Sequence, residues 1–198
     1  MVERCDIVII GGGIAGAGAG YALAREGKRV VLLERESQPG YHTTGRSAAL
    51  YAETYGNAPI RALTVASRDF LHNPPPGFSD VPILTPRGAM HVGGMEKAAT
   101  LDADFEEMRK LVPTLRRLTA QETVDIMPVL KPEAAAGGAI FEPEAKDIEV
   151  HALHRGFLRG MTAAGGRIVT DAEVIGVARV NGDWQVESSN GSFAAPVL

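Results

Sequence analysis

Apolar positions at the start of the chain follow first a strand pattern and then a helix pattern. Residues 5–10, apolar except for Asp6, form a run of strand length, and an Ala- and Gly-rich stretch of helical character follows directly. A second apolar run, residues 30–33, is rich in valine and leucine and ends at Glu34. This order predicts a βαβ unit, in which the two strands lie parallel.

The pattern becomes less regular after the second strand. Residues 36–46 are predicted to form a loop, and apolar positions at helical spacing predict a helix over residues 58–72. The sequence Asn73-Pro-Pro-Pro-Gly77 should end that helix, because proline cannot continue it. Two short β-like runs follow, at residues 81–85 and 89–92.

Charged positions dominate the middle of the chain. Residues 96–110 predict an exposed helix, and Thr119-Ala-Gln-Glu122 is a capping box that predicts a short helix ending before Pro128. The acids Glu142, Glu144, Asp147 and Glu149 lie in a proline-containing stretch, which we interpret as a solvated loop without the spacing of a calcium site.

The last quarter of the chain returns to an alternating pattern. We predict a helix over residues 151–164, a strand over 167–170, and two strands over 174–180 and 184–187. Between the last two lies Asn181-Gly182, a pair typical of tight β-hairpins. From Phe193 another apolar strand begins and stops at once, so we expect the chain to be cut short.

The order of elements predicts an α/β fold. We expect a Rossmann-like domain with a doubly wound parallel sheet, interrupted by a partial α+β region that covers it. The predicted segments are 1–80 for the first part of the domain, 81–145 for the partial cap or substrate region, and 146–198 for the return with its hairpin.

Composition narrows the class of protein. The chain is 45% hydrophobic and 22% charged with a net charge of −4, which allows a real core and gives none of the basic bias that nucleic-acid partners require. The single cysteine, Cys5, excludes an internal disulfide, and we expect it to be a small buried residue.

Residues 7–24 are uncharged and of about membrane-spanning length. Their six glycines make a poor isolated helix, and Glu3 and Asp6 do not suit the basic start of a secretory signal. We therefore expect a cytoplasmic protein with no integral membrane segment.

The motif with the clearest chemistry is the glycine sequence Gly11-Gly12-Gly13-Ile14-Ala15-Gly16. Gly11 permits a tight turn, Gly13 lets backbone approach a pyrophosphate, and Gly16 allows close packing of helix on strand. The phosphates would lie at the positive N-terminus of the helix. Glu34, 18 residues after Gly16, would accept hydrogen bonds from ribose hydroxyls and repel a 2′-phosphate, which disfavours NADP.

His151 and His154 stand three residues apart in the predicted helix. No neighbouring carboxylate or cysteine cluster completes a zinc site, so we interpret both as surface or capping residues and expect no metal.

A longer motif carries a family resemblance. Together with the glycine motif and Glu34-Arg35, the stretch from Gly40 to Ala49 (GYHTTGRSAA) resembles the FAD-dependent D-amino-acid oxidase and dehydrogenase superfamily, which includes glycine and sarcosine oxidases. The D-arginine dehydrogenase group is the most similar. Further matches to that group are Tyr55-Gly56, Arg61–Thr64, Asn73–Pro75, Thr85–Arg87 and Leu153–Gly160, so the resemblance covers nearly the whole chain and corresponds to the N-terminal part of longer enzymes.

The resemblance implies oxidation of a C–N bond. In that family, hydride passes from the α-carbon of an amine or D-amino acid to the flavin, and water hydrolyses the resulting imine. The flavin performs the redox step while the protein binds and aligns, so we nominate no catalytic residue. Non-covalent FAD is the expected cofactor, and a small D-amino acid or amine is the expected partner.

The same resemblance implies a set of cofactor-binding residues. Thr43, Thr44 and Ser47 could instead serve turns and helix caps, and Arg46 could be a surface charge. The full set is Gly11, Gly13, Ile14, Ala15, Gly16, Glu34, Arg35, Thr43, Thr44, Gly45, Arg46, Ser47, Ala48, Ala49, Leu50 and Val174.

Two positions are predicted to face substrate. Tyr55 matches a tyrosine that the D-arginine dehydrogenase group places on a mobile loop over the substrate, although it could also be a partly buried core residue. Ala89 stands where that group has a carboxylate, and Leu50 where it has a histidine. The sequence therefore predicts a preference for neutral or apolar D-amino acids over D-arginine. A non-catalytic FAD-binding module and an NAD-linked dehydrogenase are the alternatives.

Overall fold

The computed structural model describes residues 2–198, which group into two compact units. The first unit, here the Rossmann unit, contains the chain up to Ala48, Pro74–Ile83 and Glu149–Leu198. The second, here the insertion unit, contains Ala49–Asn73 and Leu84–Ile148. Each unit is described below by itself.

The elements of both units have the following bounds. The helices are α1 (Ile14–Arg25), α2 (Ala58–Ala66), α3 (Arg68–His72), α4 (Ala98–Met108), α5 (Ala120–Ile126) and α6 (Val150–Ala163). Short 3₁₀ turns cover Thr44–Arg46, Met95–Lys97 and Pro132–Ala135. The strands are β1 (Val2–Arg4), β2 (Ile7–Ile10), β3 (Val30–Leu33), β4 (Leu50–Tyr51), β5 (Leu84–Pro86), β6 (Ala89–Val92), β7 (Arg116–Leu118), β8 (Ala139–Glu142), β9 (Lys146–Ile148), β10 (Arg167–Val169), β11 (Val174–Val180), β12 (Asp183–Ser188) and β13 (Gly191–Ala195).

The Rossmann unit contains the predicted βαβ arrangement. Strands β10, β3 and β2 form a parallel sheet in that order, and every residue of β3 is buried. Apolar side chains of α1, α6 and β3 pack together around Leu32 and Met161, both fully buried. The α/β fold with parallel strands is therefore confirmed.

A second sheet of the Rossmann unit has the order β1, β13, β12 and β11. Strand β1 pairs with β13 in parallel, whereas the other pairs are antiparallel, so the strands are mixed in direction. The predicted hairpin is present, with φ of 53° at Asn181 and 90° at Gly182, as its tight turn requires. Cys5 is buried as expected, and burial raises the pKa of its thiol.

The insertion unit contains two small antiparallel sheets, of order β4, β9, β5 and β6, β8, β7. Its apolar core includes Leu101 and Met108 of α4 packed with Ile140 of β8. The Thr119 capping box begins α5 as predicted: Thr119 Oγ1 accepts from the Glu122 N–H, and the Glu122 carboxylate accepts from the Thr119 N–H.

Two sequence expectations about the insertion unit are wrong. The helix predicted over 58–72 is two helices, α2 and α3, with Ser67 between them. The Ser67 hydroxyl donates to the Leu63 carbonyl, a bond of the kind that disfavours a continuous helix. The stretch predicted as a solvated acidic loop begins at the last residue of β8 and includes β9, and Glu142 is only 1% exposed. Glu142 can be buried because three donors reach its carboxylate.

The membrane alternative for residues 7–24 gains no support. Within residues 2–198, none of the helices combines the length and the apolar character needed to cross a bilayer.

Candidate functional site

The glycine motif forms a tight turn between β2 and α1. Gly11 has φ of +102°, and its N–H donates to the Leu33 carbonyl at 2.8 Å. A Cβ at Gly16 would lie 2.0 Å from the Gly11 carbonyl oxygen, so only glycine lets the helix approach the strand this closely. Gly13 then caps the start of α1, whose first N–H groups have no partner within the helix itself.

Glu34 lies directly after β3 and is 7% exposed. Its Oε2 accepts a hydrogen bond from the Gly12 N–H at 2.9 Å, and its Oε1 accepts one from the Glu36 N–H at 3.0 Å. Each carboxylate oxygen retains a second lone pair. The side chain is therefore fixed in place and can still accept hydrogen bonds from a ligand hydroxyl.

A cleft of about 430 Å³ opens beside this turn in the Rossmann unit. Tyr41 and His42 also line this cleft, at its rim. Seven predicted cofactor residues line it together: Gly11, Gly13, Glu34, Arg35, Thr43, Thr44 and Val174.

The other predicted residues lie elsewhere. Ile14, Ala15 and Gly16 belong to the first turn of α1, and Gly45, Arg46, Ser47 and Ala48 lie in or just after the 3₁₀ turn, all in the Rossmann unit but outside the cleft lining. Four more lie in the insertion unit: Ala49, Leu50, Tyr55 and Ala89.

Thr44 has a local structural role. Its Oγ1 accepts a hydrogen bond from the Ile14 N–H at 2.9 Å, which satisfies one donor at the start of α1. The cap interpretation of Thr44 is thus present in the structure, and the hydroxyl can still donate its own hydrogen into the cleft.

The rim of the cleft has a charged cluster. His42 Nε2 lies 2.7 Å from Glu36 Oε1, and the Arg35 guanidinium contacts both side chains. The hydrogen bond with His42 lowers the pKa of Glu36 below its usual value. Nearby, the Arg46 guanidinium lies 5.5 Å from the centroid of the Tyr41 ring, so its charge is placed over an aromatic face.

His154 is a residue that sequence reasoning misplaced. We interpreted it as a surface or capping histidine, but it is 4% exposed and its Nε2 lies 2.7 Å from the Gly12 carbonyl oxygen, to which it donates. A Cβ at Gly40 would come within 2.8 Å of its ring. The sequence did contain a sign that His154 is buried. Residues 154, 158 and 161 share one helical face, and the latter two are apolar and buried. His151 is exposed.

The predicted substrate residues lie in the insertion unit, and their contact with substrate stays a prediction. Tyr55 is 67% exposed, so it is not packed in the core of that unit. Ala89 lies in β6 directly opposite Glu142 of β8. Leu50 begins β4 opposite Asp147 and is 40% exposed.

The cleft fits the diphosphate and ribose of a dinucleotide. A Cβ at Gly13 would lie 3.2 Å from Thr44 Oγ1, so a side chain there would take the space that phosphate oxygens need beside the helix start. The donors at the N-terminus of α1 suit an anion, and the fixed Glu34 suits hydroxyl groups. Among the described residues, no group of three or more His, Cys, Asp or Glu side chains is placed to hold a metal ion.

Comparison with known proteins agrees with this geometry. Glycine oxidase of Geobacillus kaustophilus is 24% identical over 211 residues, which cover 100% of this chain and 54% of that protein. The chain thus spans about half the length of this curated relative. The crystal structure of the same glycine oxidase matches with a TM-score of 0.79 and 22% identity, covering 99% of this chain and 55% of that one.

A second solved structure, L-α-glycerophosphate oxidase of Mycoplasma pneumoniae with FAD bound, matches with a TM-score of 0.81. It is 17% identical and covers 99% of this chain and 53% of that one, so the likeness concerns the fold. The family model described as DAO, FAD dependent oxidoreductase, matches residues 6–198. FAD, the cofactor expected from the sequence, is confirmed as that of the family, and with this match the chain belongs to the DAO family of FAD dependent oxidoreductases.

Proposed function

We propose that this chain binds FAD non-covalently and forms part of an enzyme that oxidises the C–N bond of a D-amino acid or a related amine. The observation that carries the proposal is the cleft beside the glycine turn, where Gly13, Thr44 and Glu34 converge on the start of α1. A cytoplasmic location belongs to the same proposal, supported by the composition of the chain.

The residues of the cleft would bind and orient the cofactor. The start of α1 would face the diphosphate, Glu34 would accept from ribose hydroxyls, and Thr44 would donate its hydroxyl hydrogen to a phosphate oxygen. FAD, when bound, supplies the acceptor for the two electrons and the hydrogen that leave the substrate carbon. The chain supplies binding and orientation, for which it needs no strong nucleophile.

The amine substrate class is supported by the glycine oxidases among the relatives and by the motif from Gly40 to Ala49. Similarity to the D-arginine dehydrogenase group is part of the proposal. Ala89 brings no charge to β6, and the neighbouring Glu142 is 1% exposed with its oxygens already bonded to three donors. Neither offers a free carboxylate to a cationic side chain, which supports a preference for neutral or apolar D-amino acids.

The test is anaerobic visible absorption of the natural full-length protein, before and after addition of D-methionine, D-leucine, D-arginine or glycine. We expect the flavin band to bleach fastest with D-methionine or D-leucine, while L-leucine serves as the matched control. Faster bleaching by D-arginine would overturn the predicted preference. A flavin band that no amine bleaches would favour a non-catalytic module, and reduction of added NAD without bound flavin would favour an NAD-linked dehydrogenase.

A further inference from the structure

The segment before Tyr55 in the insertion unit is buried, and side chains bond its backbone. Ala52, Glu53 and Thr54 are 3%, 6% and 1% exposed, although the segment has no regular secondary structure. Buried backbone of this kind must find hydrogen-bond partners outside a helix or sheet. Here side chains from distant parts of the insertion unit provide them.

The first of these side chains is Glu142, at the end of β8. Its Oε1 accepts a hydrogen bond from the Glu53 N–H at 2.8 Å, and its Oε2 accepts from the Thr54 N–H at 3.3 Å. The Thr54 hydroxyl also donates to Oε2, at 2.5 Å. A carboxylate that is 1% exposed needs such donors, because a buried charge without them is strongly destabilising. Glu142 therefore ties the backbone of residues 53 and 54 to the sheet.

Two arginines complete the attachment. The Glu53 carboxylate accepts both a bidentate pair of hydrogen bonds from Arg68 and one from the Tyr51 hydroxyl at 2.5 Å. Burial raises the pKa of Glu53, but the bonds from Arg68 and Tyr51 outweigh it, and the net pKa is lowered. Burial and the bond to Glu53 raise the pKa of Tyr51. Arg61 Nε donates to the Thr54 carbonyl at 3.2 Å, so every backbone polar group of Thr54 is bonded.

Tyr55 contrasts with the residues before it. It is 67% exposed, and Gly56, with φ of +80°, turns the chain immediately afterwards. The exposed Tyr55 ring thus follows backbone that is fixed by hydrogen bonds and precedes a turn at Gly56. This arrangement suits a ligand-contacting residue, because contact groups work best when their backbone is already in place.

We propose that Glu142 is a positioning residue that fixes the backbone at Glu53 and Thr54 and so holds Tyr55 for substrate contact. The inference rests on the proposed function and on the substrate contact that the family resemblance predicts for Tyr55. Glu142 itself touches neither substrate nor cofactor in this account, and it acts through Thr54.

Hydrogen exchange of the full-length protein tests the attachment without any substrate. Glu142→Gln keeps the shape but turns an N–H donor toward the backbone donors, so we expect the peptide covering residues 51–56 to exchange roughly tenfold faster. Glu144→Gln makes the same charge change at an exposed position and should leave that peptide unchanged. Equal acceleration across the insertion unit, or none at residues 51–56, would overturn the proposal.

Thr54→Val provides a second variant in case Glu142→Gln does not fold. It removes the hydroxyl that donates to Glu142 and also lies 3.4 Å from His91 Nε2, but it keeps the Glu142 carboxylate and both backbone donors, so a smaller acceleration confined to residues 51–56 is expected. Unchanged exchange in this variant would contradict the assigned role.

Steady-state kinetics with a neutral D-amino acid then test the action through Tyr55. Glu142→Gln should raise KM about tenfold with kcat little changed, and this effect should vanish in a Tyr55→Ala background. An equal loss in both backgrounds would indicate a general structural role and overturn the proposal. A folded wild-type protein that oxidises no amine would instead overturn the proposed function, and the exchange data would still decide whether Glu142 fixes the segment.

Discussion

The glycine turn of the Rossmann unit and the Glu53–Glu142 network of the insertion unit fix backbone in opposite ways. The turn depends on the absence of a side chain, because a Cβ at Gly16 would clash with the Gly11 carbonyl oxygen. The network depends on a charged side chain, because the Glu142 carboxylate accepts hydrogen bonds from three donors. An added atom should therefore damage the first region, and a removed charge the second.

The two regions also differ in separation along the chain. The turn is joined to Glu34 across 22 residues, within one βαβ unit. Glu142 bonds to Glu53 across 89 residues, between elements that no local pattern connects. Short separation ties the first region to a recognisable motif, whereas the second exists only once the chain has folded.

The largest expected effect is from Gly16→Ala. The new Cβ would lie 2.0 Å from a backbone oxygen that cannot rotate away, so we expect a loss of about 3 kcal/mol or more in the free energy of unfolding, together with loss of bound flavin. Urea denaturation and the absorbance of the purified protein measure both effects. Gly18→Ala in the same helix is the matched control, because its Cβ would be 3.7 Å from Phe157, an ordinary contact, and alanine favours helix. Similar losses in the two variants would contradict this account.

Glu53→Gln breaks the other region by removing charge. We expect about 2 kcal/mol of destabilisation near neutral pH, because charge-assisted bonds from Arg68 and the bond from Tyr51 are lost. The pKa of Glu53 is lowered in the folded protein, so its contribution is present above its unfolded pKa, about 4.3, and is lost as pH falls through the lower folded value. Urea denaturation from about pH 7 to pH 3 should show wild type and variant converging at the acid end. A difference that is constant with pH would show that the charge of Glu53 is not what stabilises the segment.

The same contrast explains how far the sequence could predict the structure. The βαβ unit, the hairpin at Asn181-Gly182 and the Thr119 capping box were all predicted, because each depends on residues close in sequence. The burial of Glu142 could not be, because its donors lie 88 and 89 residues away and an acidic stretch is usually solvated. The break at Ser67 was missed because the apolar periodicity continues through it, and the bond from the Ser67 hydroxyl to the Leu63 carbonyl is not visible in that pattern.

In the candidate site, too, contacts within a local motif were predicted, and a contact between residues far apart in sequence was not. The sequence placed Gly11, Gly13 and Glu34 together through a motif, and the structure brings them to one cleft. It did not predict the support that His154 gives to Gly12 from α6, because that bond joins residues 142 positions apart. Whether each cofactor residue contacts FAD stays a prediction.

His154 combines features of both regions. It is a side chain of α6, far away in the sequence, and it bonds to the backbone of the glycine turn. His154→Leu leaves the buried Gly12 carbonyl without this donor, so we expect about 1.5 kcal/mol of destabilisation and roughly tenfold weaker FAD binding. His154→Gln retains a donor of similar reach and should recover most of the affinity. Titration of the apoprotein with FAD, followed by flavin fluorescence, gives both values. If leucine and glutamine weaken binding equally, the volume of the ring matters rather than its hydrogen bond.

The smallest expected effect tests whether a local motif behaves in the insertion unit as it does in the Rossmann unit. Thr119→Ala removes the acceptor for the Glu122 N–H at the start of α5, and loss of such a cap costs about 1 kcal/mol. Thr119→Ser keeps the hydroxyl and should restore stability in urea denaturation. The bonds from Thr119 also lower the pKa of Glu122, so the difference between wild type and alanine should narrow at acid pH, where Glu122 becomes protonated. If serine fails to rescue, α5 depends on packing around buried Thr123 rather than on its cap, and a readable motif would then not guarantee a local source of stability.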